Sequence, residues 1–107
     1  FLYKGETALL ENIVGIELCR RYGKDNVSYY NADNEIDFVV EDARLAIQVT
    51  YSMQEAETRE RELTPLAKFQ SQHPDWKCLI ITNDERNSYS FDGQELQVIP
   101  AYQWLLD

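Results

Sequence analysis

The residues Lys77-Cys78-Leu79-Ile80-Ile81-Thr82 form a continuous apolar run bounded by polar turns. Such a run is typical of a β-strand covered on both faces. Around it the patterning changes in kind. Leu9, Leu10, Ile13, Val14, Ile16 and Leu18 recur at helical spacing and predict a first helix from about residue 6 to 22. Its last turn is basic, with Arg20 and Arg21, and Gly23 follows as a stop signal. Val27-Ser28-Tyr29-Tyr30 reads as a strand and 31–34 as a turn. Glu35-Ile36-Asp37-Phe38-Val39-Val40 begins in the alternation of a half-buried strand, 41–44 is a second turn, and Leu45 to Tyr51 is a third strand. From about Glu55 to Gln72 a polar segment carries a helical stripe, Leu63, Leu66, Ala67 and Phe69, with Pro65 as a point where it could kink. Beyond the apolar run come a short strand pair near Ser90-Phe91 and Leu96 to Ile99, then a closing helix, Ala101 to Leu106. The order is α-β-β-β-α-β with a small β/α extension.

With 107 residues, 44% of them apolar, the chain is long enough for one domain with a real core. No apolar run approaches the ~20 residues a membrane span needs. The opening Phe1-Leu2-Tyr3-Lys4-Gly5-Glu6 carries no secretory pattern and no initiator Met, so the expectation is a cytoplasmic piece of a longer protein. The net charge of −9 opposes free-standing binding to phosphate backbones. Cys19 and Cys78 lie in apolar stretches without metal-ligand spacing and read as two reduced, buried thiols. His73, beside Pro74, reads as a capping or surface residue at a helix end. There is no phosphate-cradling glycine loop, Ser-His-Asp set or zinc spacing.

If strands 35–40 and 45–51 form a hairpin closed by 41–44, Val40 faces Leu45, Asp37 faces Gln48 and Glu35 faces Thr50. Ile36, Phe38, Val40, Leu45, Ile47, Val49 and Tyr51 then share a core face. Glu35, Asp37, Gln48 and Thr50 share the other, with Val39 and Ala46 at its far end. Directly opposed side chains lie ~5 Å apart at Cβ, so Asp37 and Gln48 could touch one ion or phosphate. Tyr29, Tyr30 and Tyr51 read as packing on the sheet rather than as base-stacking platforms.

Several motifs together carry a family resemblance. Leu10-Glu11-Asn12-Ile13-Val14, Glu17-Leu18 and Arg20-Arg21 come first, then Glu35 to Val40 and Ile47 to Ser52. Glu57-Thr58, Arg61-Glu62 and Ile80 to Asp84 complete the set. In this order they resemble the C-terminal DUF4143 domain of prokaryotic AAA-type ATPases, over nearly the whole chain. The resemblance implies a restriction-endonuclease-like, PD-(D/E)XK α/β fold: an αβββαβ core with a mixed central sheet flanked by helices. It implies one domain over 1–107 and an ATP-binding domain upstream as a partner. In that fold a helix-1 Glu, a strand-2 Asp and a strand-3 (Glu/Asp)-x-Lys hold Mg²⁺ and position water. These map to Glu11, Asp37, Gln48 and Thr50, with Glu11, Asp37 and Gln48 as the implied metal ligands.

The sequence departs from that pattern where the charge matters. Carboxylates suit a hard cation that needs oxygen ligands, and the metal in turn activates water and neutralises phosphate. Gln48 is a neutral amide in place of a carboxylate, and Thr50 stands in place of the Lys. Losing one oriented charge at such a site costs about 3 kcal/mol or more of transition-state stabilisation. Arg61, with Lys68, is the nearby substitute cation, although arginine is a poor proton donor or acceptor. Arg61 and Glu62 read equally well as surface residues of the second helix. The first expectation is therefore a non-catalytic accessory domain with a degenerate nuclease-like site, used for protein contacts, homo-oligomerisation or substrate docking. The alternatives are a divergent Mg²⁺-dependent nuclease and a nucleic-acid-binding module.

Overall fold

The computed structural model describes residues 3–31 and 35–107, with the side chains of 29–31 and 35 outside that description. The turn expected over 31–34 and the side-chain placement of Tyr29 and Tyr30 therefore fall largely outside the described residues. The elements are α1 (Lys4–Tyr22), β1 (Ser28–Asn31), β2 (Glu35–Val40), β3 (Leu45–Val49), α2 (Ala56–Gln72), β4 (Lys77–Thr82), β5 (Asn87–Phe91), β6 (Gln94–Pro100) and α3 (Ala101–Leu106). A single 3-10 turn, Lys24–Asn26, links α1 to β1. The chain is a mixed α/β domain, and the six strands of its described residues lie in the order β1-β2-β3-β4-β6-β5. β4 is parallel to both β3 and β6, and the remaining pairs are antiparallel. The C-terminal strands thus widen the main sheet instead of forming a separate appendage.

Layering follows from residue alternation. Along β4, Leu79 and Ile81 point to one core, and Cys78 and Ile80 to the other. The first core is closed by Leu10, Val14 and Leu18 of α1 with Trp104 of α3. The second is closed by Leu63, Leu66, Ala67 and Phe69 of α2. Burial on both faces explains why this strand reads as an unbroken apolar run. Val39 and Ala46, assigned by alternation to a polar face, belong to the second core and are buried.

Local chemistry sets the ends of the helices. Gly23 has φ 90° and donates its N–H to Cys19 O, a backbone geometry that disfavours any side chain. Arg21 ties α1 to α3. Its guanidinium donates to Trp104 O at 2.8 Å, lies 4.5 Å from the Trp104 ring centroid and pairs with Glu17. The Arg20 and Arg21 hydrogen bonds hold the Glu17 carboxyl down to about 2. α2 runs as one helix through Pro65. His73 ends it, with Nδ1 3.0 Å from Phe69 O and its ring stacked on Phe69.

α1 departs from its sequence reading in one respect. Six apolar positions gave the helical spacing, but only Leu10, Val14 and Leu18 are buried. Leu9, Ile13 and Ile16 lie on the outer face, and Leu9 and Ile16 are 63% and 65% exposed. Among the described residues no helix is long and apolar enough to cross a membrane.

Candidate functional site

The candidate site arises where β2 changes its pairing. Against β1, Ser28 pairs with Val39 but Tyr30 pairs with Ile36, so two steps on β1 span three on β2. The extra residue is a β-bulge at Asp37-Phe38. It reverses the alternation there. Phe38 points to the α1 core, and Ile36 points to the α2 core. The expected placement of Ile36 beside Phe38 on one face is corrected by this insertion.

The β2–β3 ladder is regular from Val40↔Leu45 to Phe38↔Ile47. Beyond it side chains take over. The Asp37 N–H donates to Gln48 Oε1 at 2.9 Å, and the Val49 N–H donates to Asp37 Oδ2 at 2.8 Å. Each side-chain oxygen supplies an acceptor to a strand N–H. The expected Glu35–Thr50 pairing does not form. Glu35 pairs with Asn31 on β1, and the Thr50 N–H donates to Ile81 O on β4. β3 therefore stays with β4 while β2 follows β1, and Asp37 and Gln48 hold the fork between them.

Helices close around this fork from both sides. On the α1 side a groove of about 520 Å³ opens to solvent. Ala8, Gly15, Ile16, Val27 and Phe38 give it apolar walls, and Glu11 and Asp37 meet there. Gly15 brings the helix backbone close to the sheet: a Cβ at this position would stand 3.2 Å from the Phe38 ring. Burial, then the charge of Asp37, raises the Glu11 carboxyl above its ordinary value. Cys19, expected to be buried, is partly exposed and lines the groove, while Cys78 is buried and its thiol is pushed up to about 12 by desolvation. On the α2 side the Gln48 Nε2 reaches Glu62 O at 3.4 Å. The Glu62 side chain is only 13% exposed. Burial, then Asp37, raises its carboxyl to about 7, with Glu11 adding to the rise and Arg61 opposing it.

Of the residues singled out from the sequence, the structure brings Glu11 and Asp37 to one groove and joins Asp37 to Gln48 through the backbone. Thr50 is 2% exposed and its hydroxyl turns to Ser52 O at 3.5 Å, at the end of β3. Arg61, 40% exposed, pairs with Glu62 at 3.5 Å. Glu62, which the sequence leaves equally open to a surface place or a role in the site, has a side chain turned largely inward. Its spacing to Leu66 and Phe69, four and seven residues on, is the signal that places it on the inner face of α2. Among the described residues no group of three His, Cys, Asp or Glu side chains could hold a metal ion. The arrangement concentrates negative charge beside an apolar groove and spends two polar side chains on holding strands apart.

No curated protein matches this sequence. A family model described as a domain of unknown function, DUF4143, matches residues 6–104. The matched span runs from the first turn of α1, through the forked strands and the groove, to Trp104 in the first core. The chain is a member of the DUF4143 family.

Proposed function

We propose that this domain is a non-catalytic protein-contact module, C-terminal to an AAA-type ATPase domain in a cytoplasmic protein, built on a restriction-endonuclease-like core with a degenerate site. One observation carries the reading. The positions that would hold a hard cation, Asp37 and Gln48, are engaged with strand N–H groups, and Gln48 contributes no charge. Thr50, where a cationic partner would stand, is buried and uncharged. The donor set therefore does not fit Mg²⁺, which favours carboxylates and water in near-octahedral geometry. ATP would be bound by the upstream domain. The net charge of −9 argues against a nucleic-acid role.

The competing reading, a divergent Mg²⁺-dependent nuclease, draws on Glu62, a third carboxylate near Glu11 and Asp37. Incubation of the chain with single- and double-stranded DNA and RNA, in Mg²⁺ or Mn²⁺, separates the two. The expected products are no more than those of Asp37→Ala. Cleavage that needs the metal and disappears in Asp37→Ala would overturn the non-catalytic reading.

A further inference from the structure

We infer that the groove between α1 and β2 docks an amphipathic helix of another polypeptide, whose central lysine or arginine seats against Glu11 and Asp37. This rests on the protein-contact reading and names the kind of partner that reading requires. The groove is not an isolated pocket. Ile16 lines it and is also 65% exposed on the outer face of α1. Leu9 and Ile13 continue that apolar surface over successive turns of the same helix. A helix laid beside α1 would cover this stripe at ordinary helix-packing distance and drop a side chain into the groove.

Charge complementarity identifies the partner. Glu11 and Asp37 face each other in the groove, and Glu62 stands behind Asp37 on α2. Arg61 of α2 pairs with Glu62 at 3.5 Å and opposes the rise of its carboxyl. An incoming cation would relieve the repulsion among the carboxylates. A phosphate or an acidic segment would add to it. The cation is a side chain rather than a free ion because apolar walls surround the carboxylates, and a lysine or arginine stem packs against such walls.

Three synthetic helical peptides with the same leucine face and Arg, Gln or Glu at the central position provide the test, read by fluorescence anisotropy with the intact chain. The Arg peptide should bind at least about tenfold more tightly than the Gln peptide, a difference of about 1.4 kcal/mol. The Glu peptide should be the weakest. Ile16→Glu, at an exposed position, should abolish binding while leaving the circular dichroism spectrum unchanged. Glu11→Gln should erase the preference for Arg over Gln without abolishing binding of either. Equal binding of the three peptides, no binding of the Arg peptide, or binding indifferent to Ile16→Glu would overturn the proposal. So would displacement of the Arg peptide by a DNA oligonucleotide. Peptide binding and nucleic-acid cleavage are separate readouts, so failure here is distinguishable from failure of the non-catalytic reading.

Discussion

Gln48→Glu should destabilise the fold by about 3–5 kcal/mol above neutral pH, the range for an uncompensated buried charge. The side chain is 2% exposed. Its oxygen accepts the Asp37 N–H and its Nε2 reaches Glu62 O. A glutamate keeps the acceptor, loses the donor and places a new charge beside Asp37 and Glu62. Denaturant titration of the two proteins measures the cost. Gln48→Met separates charge from packing, because it fills similar volume without the charge. If the position is a degraded ligand site, Mn²⁺ should recover part of the loss in Gln48→Glu and leave the parent unchanged. A cost below about 1 kcal/mol would show that the fork tolerates the added charge, and the electrostatic crowding described above would be wrong.

Glu62→Gln should act in the opposite direction. Burial and Asp37 hold the Glu62 carboxyl up at about 7, against an ordinary value of 4.5. Between those values the folded protein keeps a proton that the unfolded chain has released. This carboxyl therefore favours folding fully below the ordinary value, and that contribution is lost as pH rises through about 7. Each pKa unit is worth about 1.36 kcal/mol, so the penalty in the charged state is roughly 3 kcal/mol. Glu62→Gln removes the titration. Its melting temperature should exceed the parent's above neutral pH by on the order of 10 °C, and the gap should close toward acid. A melting temperature that falls with Glu62→Gln at every pH would mean that the ionised carboxylate is held favourably, contrary to the burial argument.

Much of the fold was legible because its elements carry single, unambiguous patterns. The unbroken run of β4, the hairpin turn at 41–44 and the Gly23 stop each have one local solution. What escaped was a matter of single-residue register. The bulge at Asp37-Phe38 adds one residue to β2, and in a strand one residue exchanges the two faces. No composition signal marks it, and Ile36 fits either core by size and polarity. α1 misled for a different reason. Its apolar residues run along two adjacent stripes, so periodicity shows a helix but not which stripe the sheet covers. Glu62 was obscure because a half-buried carboxylate in a polar segment looks like its solvated neighbours until the sheet is placed beneath it. The hairpin register set Asp37 opposite Gln48 and motif order pointed to Glu11, but neither specified the side-chain bonds to strand N–H groups. The side chains replace a stretch of ladder that the alternation argument assumed to be continuous.

The unequal settings of the two cysteines give the protein a built-in reporter. Cys19 opens onto the groove, whereas Cys78 lies in the second core with its thiolate strongly disfavoured. A bulky alkylating reagent should therefore modify the native chain at Cys19 and reach Cys78 only on unfolding. Any molecule that fills the groove would slow that first modification, so the occupancy of this surface can be followed by mass alone, without a label and without knowing the occupant beforehand.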